Sequence, residues 1–105
     1  MRFMLLMIPG GYQTATTDIM PKAAEVEAMM AYNTELQKAG VLLSLEGLHP
    51  PATGARVAFA DGKAPEVRHG PFPETREALG GFWTIDVASQ DDAIALTASC
   101  RLDVA

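Results

Sequence analysis

The feature that most constrains the fold is an unbroken apolar run, Phe3–Ile8, which Pro9–Gly11 ends. A bilayer-spanning helix needs about 20 such residues, so this run is too short to cross a membrane. It is also short for the apolar region of a signal peptide, and no small-residue cleavage site follows it. We therefore predict that Met1–Ile8 is a strand, and because it has no polar side, both of its faces should be covered.

The size and charge of the chain narrow the classes of protein it can be. The 105 residues predict one domain, 1–105. The hydrophobic fraction of 49% is high for so small a protein, because a chain of this length can bury only a modest core. The net charge of −5 argues against nucleic acid or an anionic membrane as partner. The single cysteine excludes an intramolecular disulfide and a zinc site built from several cysteines. With no export signal and one thiol, we expect a cytoplasmic protein.

Hydrophobic periodicity and turn residues predict an alternation of strands and helices after the first strand. The first helix should bury one apolar stripe, made of Val26, Met29, Met30 and Leu36. The second helix should begin at a capping box that starts at Ser89. The predicted elements are a helix over Pro21–Ala39, strands over Val41–Leu48, Arg56–Ala60, a short run near Glu66–Arg68 and Phe82–Val87, a helix from Gln90 to about Cys100, and a strand stub over Arg101–Ala105.

This order predicts an α+β sandwich, in which two helices lie on one face of a largely antiparallel sheet, as in ferredoxin-like folds. Two helices can cover only one face of the sheet, whereas the first strand is apolar on both. The second face therefore needs another cover, and we expect it to be the same face of a second copy. The sequence thus favours a homodimer.

Alternation along the strands predicts which side chains share a face. If Leu43 and Leu45 face the helices together with Trp83, Ile85 and Val87, the opposite face carries Ser44, Glu46, Thr84 and Asp86. Polar groups on a covered face must be hydrogen-bonded or stand in a wet cavity, where Glu46 and Asp86 could act as general acid or base. The alternative is that both carboxylates lie at strand ends, in water or paired with Arg56 or Arg68.

The two histidines and a long loop are the other candidates for chemistry. His49 and His69 each lie in a loop, and a histidine near a carboxylate makes a proton-transfer pair near neutral pH, although both could equally be ordinary loop residues. The connection His69–Gly81 is long for a small domain, and such loops tend to be functional. Phe72 is the apolar side chain inside this loop that we expect to plug a pocket, and Glu74 favours the start of a short helix there.

The segment His69-Gly70-Pro71-Phe72, followed by a glutamate and Leu79-Gly80-Gly81-Phe82-Trp83, resembles the signature of the YCII-related superfamily, in its DGPF-domain branch. The segments Glu46–Thr53 and Asp61–Lys63 also look like family features. His69 stands where the signature has aspartate. Family members usually continue into a full last strand, whereas only 101–105 follow the second helix here.

The resemblance implies a dimeric α/β barrel built from ferredoxin-like subunits, with a ligand pocket near the signature loop and the inner sheet. It implies no established reaction. We therefore predict, as the first of the possible functions, a cofactor-free enzyme that performs lyase- or isomerase-type proton transfer on a small organic molecule. Its candidate acid/base residues are Glu46, His49, His69 and Asp86, and its candidate ligand-binding residues are Phe72, Glu74, Ser44, Thr84 and Trp83; no metal ligand is predicted.

Two other functions remain open. The first is a non-catalytic ligand-binding or regulatory module, because some members of the branch look associated with sigma-factor regulation. It requires a pocket without converging titratable groups, together with a surface for a protein partner. The second is a haem-binding barrel, which is disfavoured because neither His49 nor His69 lies on a predicted helix or strand that faces a haem-sized cavity.

Overall fold

The helices and strands follow the predicted order in a computed structural model, which describes residues 1–12, 15, 22–73 and 78–100. The predicted strand stub at 101–105 and the position of Glu74 lie outside the described residues. No helix in the described ranges is long and apolar enough to cross a membrane. The elements are β1 (Arg2–Met7), α1 (Ala23–Lys38), β2 (Leu42–Gly47), a 3₁₀ turn (Pro51–Thr53), β3 (Ala55–Ala58), β4 (Glu66–His69), β5 (Gly81–Asp86) and α2 (Gln90–Ala98).

The main sheet has β5 at its centre, in the strand order β1-β5-β2. Both neighbours run antiparallel to β5, so β1 and β2 are parallel to each other and are connected through α1. This arrangement is the split β-α-β unit of ferredoxin-like folds. The predicted α+β class with a small ferredoxin-like architecture is confirmed.

The hydrophobic core lies on the face of the sheet that α1 and α2 cover. Trp83 and Ile85 of β5 are buried there, as the alternation along this strand predicts. Tyr32 of α1 meets the Trp83 ring edge-on, with 5.4 Å between ring centroids, and its hydroxyl donates to the carbonyl of Leu96 at 2.7 Å. The indole N–H of Trp83 donates to Asn33 Oδ1 at 2.6 Å. The polar atoms of both large aromatic residues are therefore paired, as buried polar groups require.

One prediction about β2 is wrong, because the strand is irregular. The pairing with β5 shifts between Leu42 and Ser44, so the alternation of faces breaks at Leu43. Leu42 and Leu45 pack against the core, whereas the side chain of Leu43 is 49% exposed. The irregularity leaves Ser44 and Glu46 on the face opposite the helices, where the alternation places them.

The buried stripe of α1 also differs from the predicted one. Tyr32 and Leu36 are buried and Met29 packs against them, whereas Val26 and Met30 are exposed. The prediction left the tyrosine out of the stripe. Because its hydroxyl donates a hydrogen bond to α2, Tyr32 lies on the buried side of α1. The predicted start of α2 is confirmed, because the amide of Asp92 donates to Ser89 Oγ at 3.2 Å.

The strands β3 and β4 form a separate two-stranded antiparallel sheet, as predicted for a hairpin with its turn at Asp61-Gly62. Gly62 has φ of 72°, a conformation that favours glycine. On one face Val57 and Val67 lie directly opposite each other, and both are exposed. At the base of the hairpin, the amide of Gly70 donates to the carbonyl of Gly54 at 2.9 Å.

We predict that replacing Gly70 by alanine destabilises the protein. A Cβ at this position would stand 1.7 Å from the carbonyl oxygen of Pro51, whereas a Cβ at Gly47 would meet nothing within 4 Å. Gly70→Ala should therefore lower the free energy of unfolding by about 2 kcal/mol or more, and Gly47→Ala should change it by no more than about 0.5 kcal/mol. Urea denaturation measures both values. Equal stabilities of the two variants would contradict this close approach of backbone at the hairpin base.

Candidate functional site

The candidate site is the face of the main sheet opposite α1 and α2, which we call the open face. Its side chains form two rows across the three strands, because the pairing of β1 and β2 with β5 is in register there. The exposed fractions of Met4 and Leu6 are 58% and 52%, so the described residues leave the two apolar side chains of β1 on this face largely uncovered. The open face consists of Leu6, Phe82 and Glu46 in one row and of Met4, Thr84 and Ser44 in the next.

Two hydroxyl groups meet in the second row. Ser44 and Thr84 lie opposite each other on β2 and β5, and their side-chain oxygens are hydrogen-bonded. A hydroxyl can donate one hydrogen bond and accept two, so the pair has capacity left for a third polar group. These predicted ligand-binding residues are therefore brought together by the structure and could orient a polar atom of a bound molecule.

Glu46 is the carboxylate of the first row. It lies opposite Phe82, whose other neighbour across the sheet is Leu6, and its side chain is exposed. Adjacent rows of one face are about 7 Å apart along a strand, so Glu46 lies one row from the hydroxyl pair. A carboxylate next to apolar side chains and two hydroxyls could take a proton from a molecule lying on the open face.

Asp86 lies at the far end of the same face. It is four residues from Phe82 along β5, which places it about 13 Å from the row of Glu46. Its carboxylate forms an ion pair with the N-terminal amine of Met1 at 3.0 Å, and that amine also donates to the carbonyl of Val87 at 2.7 Å. The structure therefore separates Asp86 from Glu46 and gives it a cationic partner.

The two histidines lie at different places. His49 follows β2 in a loop, His69 is the last residue of β4, and both are exposed. In the described ranges no hydrogen bond or ion pair joins a histidine to a carboxylate, and no three histidine, cysteine, aspartate or glutamate side chains are grouped to hold a metal ion. A proton-transfer pair of histidine and carboxylate is thus not formed within one described chain.

Two predicted aromatic residues have distinct surroundings. Trp83 is buried on the helix-covered face, so it supports the sheet from behind the open face. Phe72 is also buried, and two guanidinium groups lie near its ring, that of Arg56 at 4.2 Å and that of Arg68 at 6.0 Å from the centroid. Both arginines that the sequence offers as partners of Glu46 and Asp86 thus lie near the ring of Phe72.

A shallow surface depression of about 690 Å³ lies where the ends of the sheet and of α1 meet α2. It is lined by apolar residues and by Asp86 and Asp92. Among the predicted site residues that the structure describes, Asp86 alone borders it. The depression is therefore separate from the rows of Glu46 and of the hydroxyl pair.

Sequence reasoning missed Tyr12. Its hydroxyl donates to the carbonyl of Leu48 at 2.5 Å, so it lies at the end of β2, close to the residues that follow Glu46. Burial raises the pKa of Tyr12 above its usual value of 10.0. The available signal was an aromatic residue directly after the glycines that end the first strand.

The comparison with protein families agrees with this architecture. The model of the YCII-related domain matches residues 1–103, which include both helices and every strand described above. The chain belongs to the YCII-related domain family. No curated protein matches the chain. The family match thus covers all the described helices and strands, and the family description names no reaction.

We predict that the two tyrosines, Tyr12 and Tyr32, ionise only above pH 10 in the folded protein. Burial, with smaller contributions from the charges of Cys100 and Glu35, raises the pKa of Tyr32 to about 12. In the unfolded chain a tyrosine ionises near pH 10, so the folded state holds the proton longer. The contribution of the two tyrosines to the free energy of unfolding is therefore constant below pH 10 and is lost between pH 10 and about 12.

The absorbance of phenolate measures this titration directly. In the variant Tyr12→Phe a single transition should remain, near pH 12. A Tyr32 transition near pH 10 in the folded protein would contradict the burial of its hydroxyl against α2.

Proposed function

We propose that this protein acts as a homodimer in which the open faces of two copies meet and enclose a site for a small organic molecule. The exposure of Met4 and Leu6 supports this arrangement, because large apolar side chains grouped on one face typically mark an interaction surface.

The signature segment supports a finer family assignment. Gly70-Pro71-Phe72 and Gly80–Trp83 match the pattern of the DGPF branch, with His69 in the position of its aspartate. We place the chain in that branch and infer that its dimer is a dimeric α/β barrel. In such a barrel the open face becomes the inner face, which gives the apolar side chains of β1 the cover that they lack in one chain.

The chemistry that this face supports best is proton transfer without a cofactor, of the lyase or isomerase type. The observation that carries the proposal is the placement of one carboxylate, Glu46, beside an apolar row and one row from the Ser44–Thr84 hydroxyl pair. The hydroxyls orient a carbonyl oxygen of the molecule. Glu46 accepts a proton from the adjacent carbon and returns it at another atom. His49 and His69 are candidates for the second proton-transfer group, and Asp86 is the remaining candidate at the far end of the sheet.

A second function, a non-catalytic binding or regulatory module, is favoured by one specific observation. Within the described chain Glu46, His49, His69 and Asp86 are exposed and do not form a carboxylate–histidine pair. A module of this kind would use the same enclosed face to bind a small molecule and would leave it unchanged. The two functions therefore share a site and differ in whether Glu46 moves a proton.

We predict that Leu6→Glu dissociates the dimer and that Ile94→Glu does not. The two side chains are similarly exposed, 52% and 57%, but Leu6 lies on the open face and Ile94 lies on α2. A carboxylate buried without a partner in the interface costs several kcal/mol, so the dissociation constant of Leu6→Glu should rise about 100-fold or more. Size-exclusion chromatography with light scattering measures this change.

The wild type and Ile94→Glu should have twice the 11.2 kDa mass of one chain, and Leu6→Glu should approach 11.2 kDa. A wild-type particle of 11.2 kDa at high concentration would overturn the dimer. Equal masses of the two variants would place the interface elsewhere.

We predict that Glu46→Gln abolishes exchange of carbon-bound hydrogen. The wild type should catalyse deuterium uptake from D₂O into at least one of a panel of small carbonyl compounds with acidic C–H bonds. Loss of a general base typically reduces such a rate about 100-fold or more. Glu66→Gln is the matched control, because it removes an exposed carboxylate of β4 that is not on the open face. Proton NMR follows the loss of signal. If a panel member binds but its carbon-bound hydrogen does not exchange, the proton-transfer function is refuted and the binding module is favoured.

A further inference from the structure

The hairpin of β3 and β4 carries an arrangement of cations that the proton-transfer site does not use. Arg56 and Arg68 are direct partners in the register of the two strands, so their side chains lie on the same face. Both guanidinium groups lie near the ring of Phe72, at 4.2 and 6.0 Å from its centroid. Arg56 is half-buried and Arg68 is exposed, so one cation is fixed against the ring and the other is open to solvent.

This placement of two like charges opposes folding unless something offsets it. Cations directly opposite each other in a strand pair repel, and Arg56 and Arg68 form such a pair. The face of an aromatic ring attracts a guanidinium, and Arg56 is close enough to be held there. The result is an exposed cationic group, that of Arg68, beside an apolar ring.

We propose that Arg56, Arg68 and Phe72 form a binding site for the carboxylate of a small organic molecule. The planar guanidinium presents parallel N–H donors that match a carboxylate in a bidentate pair. Arg68 supplies the exposed fork, since among the described residues no ion pair joins it to a carboxylate. Arg56 stacks on the ring beside this fork, and the edge of Phe72 contacts the apolar part of the molecule. A monocarboxylate suits a chain of net negative charge better than a multiply charged phosphate does.

Titration of the full-length protein with sodium benzoate, at constant ionic strength, tests this site. The amide resonances of β3 and β4 should shift and saturate, which two-dimensional NMR records residue by residue. Arg68→Gln should weaken benzoate binding at least tenfold. Lys63→Gln is the matched control, because it removes one cation from the turn of the same hairpin, away from the direct Arg56–Arg68 pair, and it should leave the affinity within twofold.

Arg68 is exposed, so its variant is expected to fold, and unchanged amide resonances in the main sheet verify this. Arg68→Lys, which keeps the charge and loses the fork, should also weaken binding. Three results would overturn the site: no saturable shift in the hairpin with benzoate, saturation with inorganic phosphate only, or equal weakening by Arg68→Gln and Lys63→Gln. The readout lies in the hairpin, so it is independent of proton transfer by Glu46.

Discussion

The structure depends on the position of β5 between two antiparallel neighbours, with both described helices, α1 and α2, on the same side. Trp83 and Ile85 point into the helix-covered core, and this leaves Phe82 and Thr84 of the same strand on the open face. The position of every candidate site residue in the main sheet is determined by β5 or by pairing with it. The rows of Leu6, Phe82 and Glu46 and of Met4, Thr84 and Ser44 are set by hydrogen bonding to β5, and the distance from Glu46 to Asp86 is set by its length.

Much of this architecture could be predicted from the sequence, because alternation and turn residues act locally. Trp83 and Ile85 alternate with Thr84 and Asp86, and Ser89 caps α2 through a hydrogen bond to a residue only three positions away. The predictions were wrong where a contact between residues far apart in the sequence determines which side chains are buried. Leu43 is exposed because the pairing of β2 with β5 shifts at this point. The side of α1 that carries Tyr32 is buried because the tyrosine hydroxyl donates a hydrogen bond to α2.

The candidate site was less predictable than the fold, for the same reason. Alternation along β2 and β5 places Ser44, Glu46 and Thr84 on one face, but it says nothing of what else each side chain meets. The ion pair of Asp86 joins residues 85 positions apart, and the stacking of Arg56 on Phe72 joins a hairpin to a loop. Such contacts depend on how separate elements are placed, which no local pattern in the chain encodes.

The central claim, that the open face of one copy covers that of another, is tested most directly by isotope-filtered NMR on a mixture of labelled and unlabelled protein. We predict intermolecular contacts from the methyl groups of Met4 and Leu6, which are exposed on β1. Intermolecular contacts confined to Val57 and Val67 of the hairpin, or to Ile94 of α2, would contradict the claim, as would the absence of any intermolecular contact.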